Sequence, residues 1–133
     1  KTAVCRYFTV YGPRAKQDHA VMAMIGRAFT EQNPFEVWGT GQQIRNWTYV
    51  DDIVNAIKAG IDFGCNNTAF DSWELGTGNG NNIFKILEIL SDLSTNNIKI
   101  NFEPAKDEIR NSILKYRPHT TLRKGIKKLW NQK

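Results

Sequence analysis

The sequence predicts an α/β fold built on parallel strands, and three observations carry that prediction. Residues 4–10, Val-Cys-Arg-Tyr-Phe-Thr-Val, form a largely apolar, β-branched and aromatic run closed by Tyr11-Gly12-Pro13. A run that does not alternate with polar residues suits a strand covered on both faces, as in a parallel sheet. Strand-like runs then alternate with stretches of helical period along the chain, the pattern of βα units. Finally, no internal repeat or low-complexity linker divides the 133 residues, a length that suits a single domain spanning 1–133.

The elements follow in order. After the first strand, Asp18 or His19 starts a helix whose apolar face is Val21, Met22, Met24, Ile25, Ala28 and Phe29, and Asn33-Pro34 ends it. Phe35 to Trp38 is a short strand, Gly39-Thr40-Gly41 a turn, and Ile44 to Val50 a second extended piece. Asp51 or Asp52 caps a helix bearing Ile53, Val54, Ile57 and Ile61. Thr68 to Leu75 reads as a strand, and Gly76 to Gly80 as a loop. A helix follows with Ile83, Ile86, Leu87, Leu90 and Leu93, then a strand at Ile98 to Phe102 and a closing helix from Thr121 to Trp130.

Composition narrows the function classes. Hydrophobic residues make up 41% and charged residues 23% of the chain, with no apolar run near membrane-spanning length. The start shows neither the apolar core of a signal peptide nor the composition of a transit peptide, so the cytoplasm is the expected compartment. Cys5 and Cys65 lie far apart, and His19 and His119 are the only histidines, so neither a disulfide framework nor a zinc site is expected. The net charge of +5 is uneven. Residues 104–133 hold nine basic against two acidic side chains, while the remainder sums to −2. Such a cluster reads first as a solvated helix face and second as a phosphate-binding surface; no base-reading motif supports nucleic acid as a partner.

Gly76-Thr77-Gly78 lies between a predicted strand and a predicted helix and imitates a dinucleotide-binding loop. Asn81 stands where the third glycine or an alanine belongs, however, and Asn79 and Asn82 are bulky where backbone must approach a pyrophosphate. It reads as a helix-entry loop, so no cofactor-binding residue is expected here.

Several blocks, taken in order, carry a resemblance. They are Arg6-Tyr-Phe-Thr-Val-Tyr-Gly-Pro-Arg14, His19 to Ile25, Val37-Trp-Gly-Thr-Gly-Gln-Gln-Ile-Arg-Asn-Trp-Thr-Tyr-Val-Asp-Asp52, Glu74-Leu-Gly-Thr-Gly78 and Tyr116-Arg-Pro-His-Thr-Thr-Leu-Arg-Lys-Gly125. Together they resemble the extended short-chain dehydrogenases, in the subgroup of NAD-dependent nucleotide-sugar epimerases and dehydratases typified by UDP-glucose 4-epimerase. The resemblance covers the second half of such an enzyme. It implies part of a Rossmann-type sheet plus the small substrate-binding domain, with the NAD-binding half absent. The family's glycine-rich cofactor loop has no counterpart. Its catalytic Tyr-x-x-x-Lys has none either: Tyr7, Tyr11, Tyr49 and Tyr116 are followed four residues later by Tyr11, Ala15, Ile53 and Thr120. Hydride transfer needs a bound nicotinamide and an activated acid-base group, so no catalytic residue is assigned and the chain is expected not to catalyse alone, nor to hold NAD.

What the resemblance leaves is the part that holds a UDP- or GDP-linked sugar. Phe35 to Trp38, with Val37 at its centre, falls where the family lays backbone along the nucleotide base, and Trp38 offers an aromatic face or, alternatively, a core side chain. Arg45 matches the arginine directed at the diphosphate, where a guanidinium forks two phosphate oxygens. Thr9 stands where an asparagine usually touches the sugar nucleotide, so one hydroxyl replaces an amide. His19 reads either as a polar group near phosphate or as a plain helix-start residue. Lys106 replaces the usual second arginine, and about one short helix is missing between Ser112 and Tyr116, which weakens the expected site. A half sheet also leaves an edge at Val4 to Val10, and the competing reading is a non-catalytic interaction module that forms a homo-oligomer over Tyr7, Phe8 and Val10.

Overall fold

The computed structural model describes residues 3–66, 71–94, 99–103 and 119–132. Six strands and four helices alternate: β1 (Ala3–Tyr7), β2 (Thr9–Tyr11), α1 (Ala20–Phe29), β3 (Phe35–Trp38), β4 (Trp47–Tyr49), α2 (Val50–Asn66), β5 (Asp71–Leu75), α3 (Ile83–Leu93), β6 (Ile100–Glu103) and α4 (Leu122–Trp130). The strands form three parallel pairs, β1 with β5, β2 with β4 and β3 with β6. The mixed α/β class and the parallel pairing expected from the sequence are both present.

The first apolar run departs from expectation in two ways. It divides at Phe8 because its two halves take different partners: Ala3 pairs with Asp71, whereas Thr9 pairs with Trp47. It is also not buried throughout, since Val4 and Tyr7 are 38% and 61% exposed. Other bounds shift as well. The extended piece at 44–50 shrinks to β4 plus a single bridge at Arg45, and α2 starts at Val50, so Asp51 and Asp52 lie inside its first turn rather than capping it. There they still favour the helix, as carboxylates near its positive end. The strand expected from Thr68 begins at Asp71 within the described residues, and the one expected from Ile98 runs from Ile100 to Glu103. Lys106 and the Tyr116–Pro118 part of the closing motif lie outside the described residues.

Two apolar clusters flank the central pair β2–β4. Tyr11, Trp47 and Tyr49 face the larger one, with α1, α3, α4 and β3, while Val10 joins Ile53, Ala56 and Leu75 under α2. α4 shows why the helices settle as they do. Leu122, Gly125, Ile126 and Leu129 recur at helical spacing and are buried, with Ile126 fully so, and such a side chain contributes about 1.5–3 kcal/mol. Thr121 caps the helix by accepting the Lys124 N–H. The basic side chains face outward, Arg123 paired with Asp92 and Lys128 with Asp51 at 3.0 Å. That pairing agrees with the reading of the basic cluster as a solvated face. Among the described residues no helix is long and apolar enough to cross a membrane, and no three His, Cys, Asp or Glu side chains gather as a metal site would need.

Candidate functional site

The resemblance directs attention to the end of β3, and the structure builds a closed knot of backbone there. Arg27 of α1 donates through Nη1 to the Glu36 carbonyl at 2.7 Å, which holds β3 against the helix. Val37 is completely buried, backbone included, and pairs with Phe102, while Trp38 at the strand end is 55% exposed. The chain then turns at Gly39 and Gly41, both with positive φ. A side chain at Gly41 would also meet the rings of Phe84 and Phe102 at 3.1–3.2 Å, so glycine is required on two counts.

Arg45 and Asn81 exchange both backbone hydrogen bonds, each at 2.9 Å, so the Gly76–Asn82 loop is tied to the extended piece that carries Arg45. One residue on, Asn46 Oδ1 lies 2.8 Å from Thr77 Oγ1, which is also 2.9 Å from the Asn79 carbonyl; one hydroxyl proton is divided between two acceptors. Arg45 as a residue is half-buried, and its Nη1 donates to the Ile44 carbonyl at 3.2 Å in an exposed contact. These contacts fix the backbone beneath Arg45 and bring it together with the loop after β5.

The glycine loop itself leads into α3 in a way that bears on pyrophosphate. A phosphate at a helix start needs the first N–H groups of the helix. Here the Ile83 N–H donates to the Gly41 carbonyl at 3.0 Å and the Lys85 N–H to Asn82 Oδ1 at 3.1 Å. Two of those donors are already engaged, and the asparagine expected to obstruct the loop is the helix cap.

The other candidates lie elsewhere. Thr9 sits on β2 opposite Trp47. His19 precedes α1 and is exposed; its carbonyl accepts the Ala23 N–H at 2.8 Å, but its side chain makes no cap bond.

Two residues that sequence reasoning placed only as a helix cap and a strand end secure the framework. Asp52 is 1% exposed, and its carboxylate accepts the backbone N–H of His119 at 3.2 Å and of Thr120 at 2.9 Å. Tyr11 is equally buried; its hydroxyl donates to the Leu122 carbonyl at 3.3 Å, and its ring meets Tyr49 edge-on. Burial first, then the neighbouring Tyr49 and Asp52, push the Tyr11 hydroxyl well above its ordinary pKa of 10.0. The signal available in the sequence was their position, each at a strand end beside a turn or helix start.

Comparison with known proteins agrees with this geometry. The model of the NAD dependent epimerase/dehydratase family matches residues 1–76. A UDP-glucuronate 4-epimerase of Thermodesulfobacterium geofontis is 29% identical over 97% of this chain and 42% of its own length. An uncharacterized UDP-glucose epimerase of Bacillus subtilis, YtcB, is 29% identical over 92% of this chain and 41% of its own. Among solved structures, UDP-glucuronic acid 4-epimerase from Bacillus cereus, in complex with UDP-glucuronic acid and NAD, superposes with a TM-score of 0.84 at 25% identity, covering 97% of this chain and 44% of that one. UDP-glucose 4-epimerase from Thermotoga maritima, with UDP-glucose, gives 0.77 at 24% identity over similar shares. The chain belongs to the NAD-dependent epimerase/dehydratase family, with a fold of the Rossmann-type extended short-chain dehydrogenases, and spans about two fifths of the length of the curated relatives it matches.

Proposed function

We propose that this chain is the nucleotide-sugar-holding part of a UDP-sugar epimerase or dehydratase and that it performs no hydride transfer by itself. The observation that carries the reading is the knot around Arg45: a half-buried arginine on backbone tied to the loop after β5, in the segment that follows the Gly39–Gly41 turn and the exposed Trp38. An aromatic face and a planar cation suit a base and a diphosphate. UDP is favoured over GDP because the B. cereus and T. maritima structures, which share this fold, hold UDP-glucuronic acid and UDP-glucose. Thr9, His19, Val37 and Lys106 are assigned to the same ligand on the family resemblance, with Val37, buried beneath Trp38's strand end, acting through the shape of β3. NAD is not assigned to this chain: the α3 start fits it poorly, with Ile83 and Lys85 N–H already engaged and Asn82 serving as the cap.

Calorimetry tests the reading. UDP should bind at the ~0.1–1 mM level expected of a partial pocket. Arg45→Ala should abolish that binding, while Lys124→Ala with Lys127→Ala on α4 should leave it unchanged. The reverse pattern would mean charge attraction without a site. NADH titration should show no saturable binding in the micromolar range. A second reading, a homo-oligomeric interaction module, draws on the exposure of Val4 and Tyr7, and light scattering separates it through the mass in solution.

A further inference from the structure

The loop after β5 holds a pair of residues that the ligand reading does not use. Asn79-Gly80 is the one Asn-Gly pair among the 133 residues, and both of its members are exposed. An asparagine followed by glycine is the least protected of amide side chains, because no side chain keeps the next backbone nitrogen from reaching Cγ. Packing holds the glycine in place. A Cβ at Gly80 would come 2.3 Å from Ile44 Cγ2, so a larger residue must push Ile44 aside, next to the bridge between Arg45 and Asn81. Among the described residues no hydrogen bond engages the Asn79 side-chain amide or the Gly80 N–H. Both reacting groups are therefore unclaimed.

The peptide bond that joins the pair is also activated. The Asn79 carbonyl accepts from Thr77 Oγ1 at 2.9 Å and from Asn81 Nδ2 at 3.3 Å. Loss of the Gly80 N–H proton places negative charge on that same oxygen through peptide resonance, and donors already aimed at it stabilise the charge. We infer that Asn79 is a site of spontaneous deamidation, activated by its own loop, through which the chain loses its hold on a diphosphate. Hydroxide takes the Gly80 proton, the nitrogen attacks Asn79 Cγ, the Cγ–Nδ2 bond breaks, and ammonia leaves with a proton from water. The cyclic imide so formed takes up water. Opening at Cγ gives aspartate, and opening at the α-carbonyl gives isoaspartate, whose chain runs through the former side chain. No oxidant, reductant or enzyme enters. Either product sets a carboxylate in the loop whose Asn81 pairs with Arg45, and isoaspartate adds a methylene to the backbone leading into that pairing. The consequence for the ligand rests on the function proposed above, since a new anion there repels a diphosphate.

The test incubates the folded chain at mildly alkaline pH beside a free peptide of the same loop sequence. Peptide mapping by mass spectrometry should find the amide-to-acid mass gain at Asn79 before any other described asparagine, with isoaspartate quantified by enzymatic methylation. A folded chain whose Asn79 stays intact while the peptide converts overturns the inference. Thr77→Val should slow the reaction about fivefold, the worth of one neutral hydrogen bond, and Thr77→Ser, which keeps the donor, should restore the rate. Unchanged or faster reaction in Thr77→Val refutes the activation, because a merely loosened loop reacts faster. If Thr77→Val does not fold, the comparison with the peptide decides. Asn79→Asp carries the charge of the product, and calorimetry should give it an affinity for UDP about two- to fivefold below that of the parent. The two claims then separate. Deamidation at Asn79 with UDP binding indifferent to Asn79→Asp tells against the proposed function, whereas UDP binding with Asn79 intact after incubation tells against this site.

Discussion

Replacing Gly125 by alanine tests how α4 is seated. In an open helix position the change is favourable by about 1 kcal/mol, because alanine loses less backbone freedom. At Gly125 the new methyl would lie 2.0 Å from the Tyr11 hydroxyl and 2.8 Å from its Cζ, and the ring is 1% exposed, wedged edge-on against Tyr49. Either the ring or the helix must move. Overpacking of this kind costs about 1–3 kcal/mol, and losing the bond from Tyr11 to the Leu122 carbonyl adds about 1. After the propensity gain, a net loss of about 2 kcal/mol remains, or about 8 °C in melting temperature for a chain of this size. Urea denaturation of Gly125→Ala beside Gly26→Ala is the assay. Gly26 lies in α1 with nothing within 4 Å of its missing side chain, so alanine there should stabilise by about 0.5–1 kcal/mol. Tyr11→Phe removes the nearest atom and should recover at least about 0.5 kcal/mol of the Gly125→Ala loss in the double variant. Equal stabilisation by the two alanines would refute the reasoning.

Further perturbations probe the framework independently. Asp52→Ala strands the buried Thr120 N–H and should cost about 2–3 kcal/mol in chemical denaturation, whereas Asp52→Asn keeps an acceptor and should cost about half as much. The Thr48 hydroxyl is buried with no hydrogen-bond partner among the described residues, so Thr48→Val should raise stability by about 1 kcal/mol, and a loss would show that the hydroxyl is satisfied in solution. Tyr11 and Tyr49 both titrate above their ordinary value, chiefly through burial. The folded state therefore keeps protons that the unfolded chain releases above pH 10, and stability should fall as pH rises beyond that point. Absorbance at 295 nm followed with circular dichroism should show these two tyrosines ionising only as the protein unfolds.

The helices were legible because a helix declares itself through spacing within its own sequence. α3 and α4 begin and end within a residue or so of their expected places, with Asn82 and Thr121 in the capping positions, and α1 begins where expected but stops at Phe29, short of the Asn33-Pro34 pair expected to end it. Strand bounds were less legible, since a strand ends where its partner leaves it. Nothing local in Val4 to Tyr11 reveals that Tyr7 answers to Leu75 while Thr9 answers to Trp47. Of the candidate site, Arg45 and Trp38 were singled out by motif. The engagement of Arg45 backbone by Asn81, and of Thr77 by Asn46, was invisible, because it joins segments far apart in the chain.

The parallel pairings also set an order in time. Ala3 finds Asp71, Thr9 finds Trp47 and Phe35 finds Ile100, so each of the first three strands waits for one made later. On a ribosome, at about 5–20 residues per second, β1 spends seconds without its hydrogen-bonding neighbour. α1 and α2 draw on contacts within their own sequence and form long before any ladder closes, while long-range parallel pairing is the slow event. During that interval the apolar run at the start of the chain is an unclaimed strand, and whichever compatible edge reaches it first, native or foreign, gains the pairing.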